Sequence, residues 1–291
     1  MKSIKIFARI AASLLCLAVF TSASFAKTSP LANPYGMAVD VKGNLWVANA
    51  NGGDSQFGQI LEYNAAYVQQ TKATITSNLN IPLAVAFDPV GNLWVANGAA
   101  SNGGTGGSIA EYVGGVQNTA ATITDGIFDP AAMAVDGIGD IWVQNGGVSL
   151  NVYSPIQPFN PTVNLIQSLT SLGPFSGLAA ENDVVAFGYS QGTGFAAVEP
   201  YLASSNLQGE RLTSIGVAIG ADNKGNFYVG TSSGIVYIVT SAGAVNGFLQ
   251  LSFSPTGIAV DNVHGRVYIS DGPGNTIYAY SPAGALLHTI N

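Results

Sequence analysis

The sequence predicts an all-β protein, a ring of six four-stranded antiparallel sheets forming a β-propeller. Three observations carry this. Gly43-Asn44-Leu45-Trp46-Val47-Ala48-Asn49 returns unchanged as residues 91–97, and again, altered, as Gly139-Asp140-Ile141-Trp142-Val143-Gln144-Asn145. Pro34, Pro82 and Pro130, each opening a short apolar run, stand 48 residues apart. Beyond the first residues no helical stripe appears, and short β-branched and aromatic runs alternate with Gly/Pro/Asn turns. A fixed period of this length is the mark of units that bury their faces against one another.

Each unit reads as four strands. The first begins near residues 34, 82, 130, 174, 215 and 255. It is followed by a tight turn opened by Asp40, Asp88, Asp136 or Asp261, whose side chains bond the amides ahead of them, and closed by glycine. The second strand is the Leu-Trp-Val-Ala repeat, with Phe227-Tyr228-Val229 and Val267-Tyr268-Ile269 as its later forms. The third strands are Gln59–Tyr63, Ser108–Tyr112, Ser149–Tyr153, Gly234–Ile238 and Thr276–Tyr280. The fourth carry the faintest pattern, as half-solvated edges do: Ala73–Thr76, Ala121–Ile123 and Leu286–Ile290. The last run can complete the sixth unit without a strand borrowed from the N-terminus. Trp46, Trp94, Trp142, Tyr228 and Tyr268 share one position and are expected to wedge neighbouring sheets apart from water.

Lys2, Lys5 and Arg9, an apolar run from Ile10 to Phe20 and the small-residue site Ser24-Phe25-Ala26 read as a cleaved signal peptide, residues 1–26, with one propeller domain over 27–291. The chain is then secreted or periplasmic. The apolar run is too short to span a bilayer, so no stable membrane insertion follows cleavage. Cys16, the only cysteine, falls in the signal, which leaves no disulfide and no thiol chemistry. The net charge is −7. An acidic chain lacks the basic footprint that nucleic acid or an anionic membrane requires.

The pattern Pro-x-Gly-Met-Ala-Val-Asp, Gly-Asn-Leu-Trp-Val-Ala-Asn, Ile-Leu-Glu-Tyr resembles the NHL repeat. It is also similar to repeats of the gluconolactonase-like six-bladed propellers and the streptogramin lyases. Units one, two, three and six resemble it well, five fairly, four poorly. In lactonase-like propellers the resemblance implies a divalent metal held by oxygen ligands just after the proline position. The matching residues here are Tyr35, Leu83, Ala131, Phe175, Ile215 and Thr256, none a carboxylate or amide, so that site does not carry over; Asn33 and Asp129 could stand in only with a shifted backbone. Streptogramin lyases use histidine chemistry with a metal. His264 and His288 are the only histidines, placed in a turn and on an outer strand, away from the channel.

Asn49, Asn97, Asn145 and Asp271 end second strands. They either bond the loop backbone beyond them or ring one face beside Tyr35, Leu83, Phe175 and Ile215. The loops Ala50–Gly58 and Gly98–Gly107 emerge there too. Aromatic, aliphatic and amide groups in a recess suit a protein segment or a carbohydrate. The expectation is a monomeric, non-catalytic binding module with no cofactor. The alternatives are a metal-dependent hydrolase or lyase with a rearranged site, and a structural surface component.

Overall fold

A computed structural model describes residues 30–51, 58–98, 106–146, 149–154, 164–169, 175–181, 184–191, 195–202, 205–206, 211–212, 216–240 and 244–291. The signal segment and most of the two long loops lie outside these residues.

The strands form six antiparallel sheets. Sheet one is β1 (Pro34–Val39), β2 (Leu45–Asn49) and β3 (Gln59–Tyr63). Sheet two is β4 (Pro82–Phe87), β5 (Leu93–Asn97), β6 (Ser108–Val113) and β7 (Val116–Ile123). Sheet three is β8 (Pro130–Val135), β9 (Ile141–Asn145), β10 (Ser149–Ser154) and β11 (Asn164–Leu169). The fourth holds β12 (Phe175–Glu181), β13 (Val184–Gln191), β14 (Phe195–Leu202) and β15 (Ser205–Asn206), with β16 (Arg211–Leu212) pairing β14 off the main path. The fifth is β17 (Gly216–Ala221), β18 (Asn226–Thr231), β19 (Ile235–Thr240) and β20 (Val245–Gln250). The sixth is β21 (Gly257–Asp261), β22 (Arg266–Asp271), β23 (Thr276–Tyr280) and β24 (Leu286–Ile290).

The expectation of six four-stranded blades is corrected. Five sheets are regular blades of three or four strands; the fourth sheet is not. In sheet one the expected strand Ala73–Thr76 is replaced by a single 3-10 turn, Thr71–Ala73, and an isolated bridge between Ile60 and Ile75. The fourth sheet instead carries long β13 and β14 with two short strands side by side on β14. Two boundaries also move. β21 begins at Gly257, not Pro255, and β7 starts five residues before Ala121.

The first strands β1, β4, β8, β12, β17 and β21 pack side by side in that order, and β1 closes against β21. The core is therefore not one mass but a series of seams. At the first, Ala48 and Ile60 meet Val85, Leu93 and Val95, with Trp46 edge-on to Phe87 at 5.9 Å. At the second, Trp94, Ala96 and Ile109 meet Met133, Ile141 and Val143. At the third, Trp142 and Leu150 meet Leu178 and Val185. Tyr228 and Val236 meet Ile258, Val267 and Ile269, and Tyr268 meets Met37, Leu45 and Val47. The shared aromatic position is thus an inter-sheet wedge, as its recurrence implied. Flat, alternating strands expose apolar side chains on both faces, and only a neighbour on each side removes them from water.

Closure needs no exchanged strand, because β24 completes the sixth sheet. It uses side chains instead. Thr256 Oγ1 donates to the Pro34 carbonyl at 2.8 Å and Ser270 Oγ to the Tyr35 carbonyl at 3.0 Å. Gly257 faces Tyr35 so closely that any Cβ there would collide with its carbonyl. On the outer side Arg266 donates to the Ala65 carbonyl at 2.7 Å and lies over the Tyr67 ring, which stacks on His288 at 4.1 Å.

Candidate functional site

Strand direction gives the ring two unlike faces. First strands run from an upper face to a lower one, second strands return, and third strands run down again.

The lower face is made by the Asp turns. Asp40 Oδ1 accepts the amides of Lys42 and Asn44, both at 2.9 Å, and its Oδ2 accepts the Trp46 indole N–H at 3.2 Å. Asp88 repeats this with Val90, Asn92 and Trp94, and Asp136 with Ile138, Asp140 and Trp142. One carboxylate therefore closes the turn and orients the wedge. Asp222 does the same work for Lys224 and Asn226, a turn the sequence pattern missed because Gly220 and Ala221 separate it from the apolar run ending at Ile219. In the sixth sheet His264 Nδ1 lies 2.8 Å from Asp261 Oδ2, replacing the indole. His264 and the exposed outer-strand His288 both sit far from the channel lining.

At the upper face stand the asparagines. Asn49, Asn97 and Asn145 are 0%, 2% and 6% exposed. Each reaches back 17 residues to the segment entering its own sheet. Asn49 Oδ1 accepts the Ala32 amide at 2.7 Å and Asn97 Oδ1 the Asn80 amide at 3.1 Å; Asn145 Oδ1 accepts the Phe128 amide. Their Nδ2 groups donate to the Pro30 carbonyl, to Ser108 Oγ and to the Gly126 carbonyl. Buried amides so satisfied act as clamps on the entering segments, and Asn97 also ties in Ser108, just past the loop that follows its strand. Asp271 is half-buried and accepts the Gly274 amide at 3.0 Å in its own hairpin. The recurrence that drew attention to these residues reflects a backbone need repeated once per sheet.

The clamps act on a strained entry. Asn33, Ile81 and Asp129, each before its proline, have φ of 58°, 50° and 49°. A left-handed residue there turns the chain into the ring. Neither Asn33 nor Asp129 lines the channel. One step on, the register of the first and second strands slips between Pro34 and Met37, Pro82 and Ala84, and Pro130 and Ala132. These β-bulges re-aim one side chain per strand, and Tyr35, Leu83 and Ala131 accordingly line the channel.

That channel has a volume of ≈ 250 Å³. Besides these three, its walls are Met37, Val85, Met133, Leu178, Ile219 and Ile258, with Gln144 and Thr256 as polar groups. Tyr35 is the lone titratable side chain among the described lining residues, and no cluster of three or more His, Cys, Asp or Glu occurs among the described residues. The described lining thus offers amide, hydroxyl and phenol oxygens but no carboxylate, the usual ligand of a hard cation. Of the expected recess, Tyr35 and Leu83 are therefore in place. Phe175 opens β12, but its side chain lies outside the described residues, and so does Ile215.

No protein-family profile matches the chain, and no curated protein sequence matches it. Solved structures do. A streptogramin B lyase structure is similar with a TM-score of 0.58 at 12% identity, covering 91% of this chain and 84% of that one. A chain of a mitotic checkpoint complex is similar with a TM-score of 0.60 at 12% identity, covering 100% of this chain and 88% of the other. The arrangement is a β-propeller. Matches to 1228 solved chains make it a widely used scaffold, and at such identities the likeness speaks for the fold alone.

Proposed function

We propose that the chain is an exported NHL-like propeller whose fourth sheet has diverged from the four-stranded pattern, and that it acts as a non-catalytic binding module at the upper mouth of its channel. The observation that carries this is the character of that channel: an uncharged, mostly aliphatic tube to which the bulges deliver Tyr35, Leu83 and Ala131. Such a lining rewards desolvation of an apolar group and offers few directional contacts. Its ligand is a neutral, apolar protein segment, with an uncharged carbohydrate as the weaker fit. The three buried asparagines stiffen the mouth beneath the ligand.

The test uses an uncharged, environment-sensitive naphthylamine dye as probe. Wild type should bind it saturably at one site. Ala131 is exposed at the mouth, so Ala131→Trp should abolish binding without lowering the melting temperature. Absence of saturable binding, or binding indifferent to Ala131→Trp, would refute the reading. Metal analysis of the purified protein separates the rival hydrolase or lyase reading, which requires a stoichiometric bound cation.

A further inference from the structure

We infer that the lower face of the ring is a self-association surface, on which a second copy of this chain docks face to face. Ten of the eleven exposed large hydrophobic residues described lie on this face or its rim. Val41, Val90, Ile138 and Val263 sit one to a turn at the Asp turns of four sheets, 85%, 80%, 76% and 57% exposed. Val113 and Val116 flank the β6–β7 hairpin, and Val68, Val245, Leu286 and Leu287 stand at the lower ends of the third and fourth strands. Phe128 alone is on the upper face. Turn tips are where Gly, Asn and Asp are favoured; β-branched residues there gain nothing from local geometry.

The aliphatic surface so exposed is on the order of 1,000 Å², against the roughly 800 Å² that each partner contributes to a standard interface. The same face supplies grooves for the tips. One, of ≈ 260 Å³, runs between sheets one and two under Trp46, Phe87 and Tyr112; another, of ≈ 240 Å³, lies between the fifth and sixth sheets beside Tyr280 and Pro282. A surface carrying both knobs and holes can be complementary to itself, which a two-fold dimer demands.

Charge singles out the occupant. The molecule is acidic, with net charge −7, and opposes its own copy at long range. Every described carboxylate at the lower face is half-buried or buried, however, most of them turned onto turn amides, while Lys42 and Lys224 are exposed. Asp125 and Asp129 are exposed on the upper face. Among the described residues, two copies can thus meet at the lower face without opposing exposed carboxylates, and an acidic chain is a poor match for an anionic lipid surface.

Sedimentation equilibrium of the purified full-length chain, over about a hundredfold range of concentration, tests this. The mass should rise from one copy to two. Val90→Asn and Ile138→Asn, at exposed turn positions, should each weaken association roughly a hundredfold, because a two-fold dimer leaves one aliphatic side chain unburied on each copy, with unchanged melting temperature. Phe128→Ser on the upper face should leave it intact, and dimerisation should shift Trp46 fluorescence to shorter wavelength. A monomer at every concentration, a dimer indifferent to both lower-face variants, or a monomer that instead co-floats with neutral phosphatidylcholine vesicles would overturn the inference.

Discussion

Sheets one and two contain the same seven residues, 43–49 and 91–97, yet the two copies live in different surroundings. Trp94 is 2% exposed while Trp46 is half-buried beside an open groove. Tyr112 donates to the carbonyls of Ser77 and Asn78, at 3.2 and 3.1 Å, whereas the equivalent Tyr63 hydroxyl is buried without a partner. Sheet two has four strands and sheet one three. Identical local sequence fixes identical local geometry, down to the Asp–Trp contact of 3.2 Å in both. What each side chain contributes is then set by its neighbours.

The largest expected effect sharpens this contrast. Trp94→Ala should cost about 3–5 kcal/mol by emptying a filled seam. Trp46→Ala should cost clearly less, since part of its surface is already in water. Equal losses in chemical denaturation would break the comparison. Next come the clamps. Asn97→Ala strands the Asn80 amide and should cost about 1–3 kcal/mol. Retained stability together with lost dye binding would restore the asparagine to the binding face.

The tyrosine pair should diverge in the same way. Tyr112→Phe should lose about 1 kcal/mol, and Tyr63→Phe should be neutral or stabilising, because it removes an unsatisfied buried hydroxyl. Burial pushes the Tyr112 phenol up to about 12 from its usual 10. Its folded form therefore holds a proton that the unfolded chain gives up between those values. Stability contributed by this group is complete below pH 10 and falls as pH rises from there. Phenolate absorbance during alkaline unfolding should show that loss in wild type and less of it in Tyr112→Phe.

Smaller effects follow at the lower face. Burial, and then the nearby Asp40 carboxylate, raises the Glu62 pKa above 4.5. A raised carboxyl is a group the folded state prefers protonated, so its penalty is present at neutral pH and disappears as pH falls through the folded value towards 4.5. Glu62→Gln should raise the melting temperature at pH 7 and lose that advantage in acid. A constant difference across pH would refute the assignment. Smallest of all, Ile81 is β-branched at φ 50° where the other units carry Asn33 and Asp129. Ile81→Asn should gain about 1 kcal/mol by relieving left-handed strain.

Much of the fold was legible. The period of 48, the Asp turns and the Trp wedge each follow from a repeated physical need, and repetition amplifies a weak signal. The fourth sheet was not, because its units share few of those residues and its extra strands leave no periodic trace. The missing strand of sheet one was hidden for another reason. Ala73–Thr76 has strand-like residues, but the chain from Asn64 to Gln70 turns tightly on its own side-chain and backbone bonds, among them Asn64 Oδ1 with the amides of Ala66 and Val68, and meets β3 only in two isolated bridges, Tyr63 with Gln69 and Ile60 with Ile75. The channel residues Tyr35 and Leu83 were readable from position after the proline. The role of the asparagines stayed open because a recurring polar residue at a strand end looks the same in sequence whether it faces a ligand or the chain's own backbone. The spacing of 17 back to an entering segment was a signal available but unread.

The central claim is that each second-strand aromatic is sealed by the next sheet, with the first seam left partly open. Acrylamide quenching of tryptophan fluorescence, at low protein concentration and with each tryptophan replaced in turn by phenylalanine, tests it directly. The accessible fraction should vanish with Trp46→Phe and persist in Trp94→Phe and Trp142→Phe. Quenching that instead follows Trp94 or Trp142 would contradict the ring of seams described above.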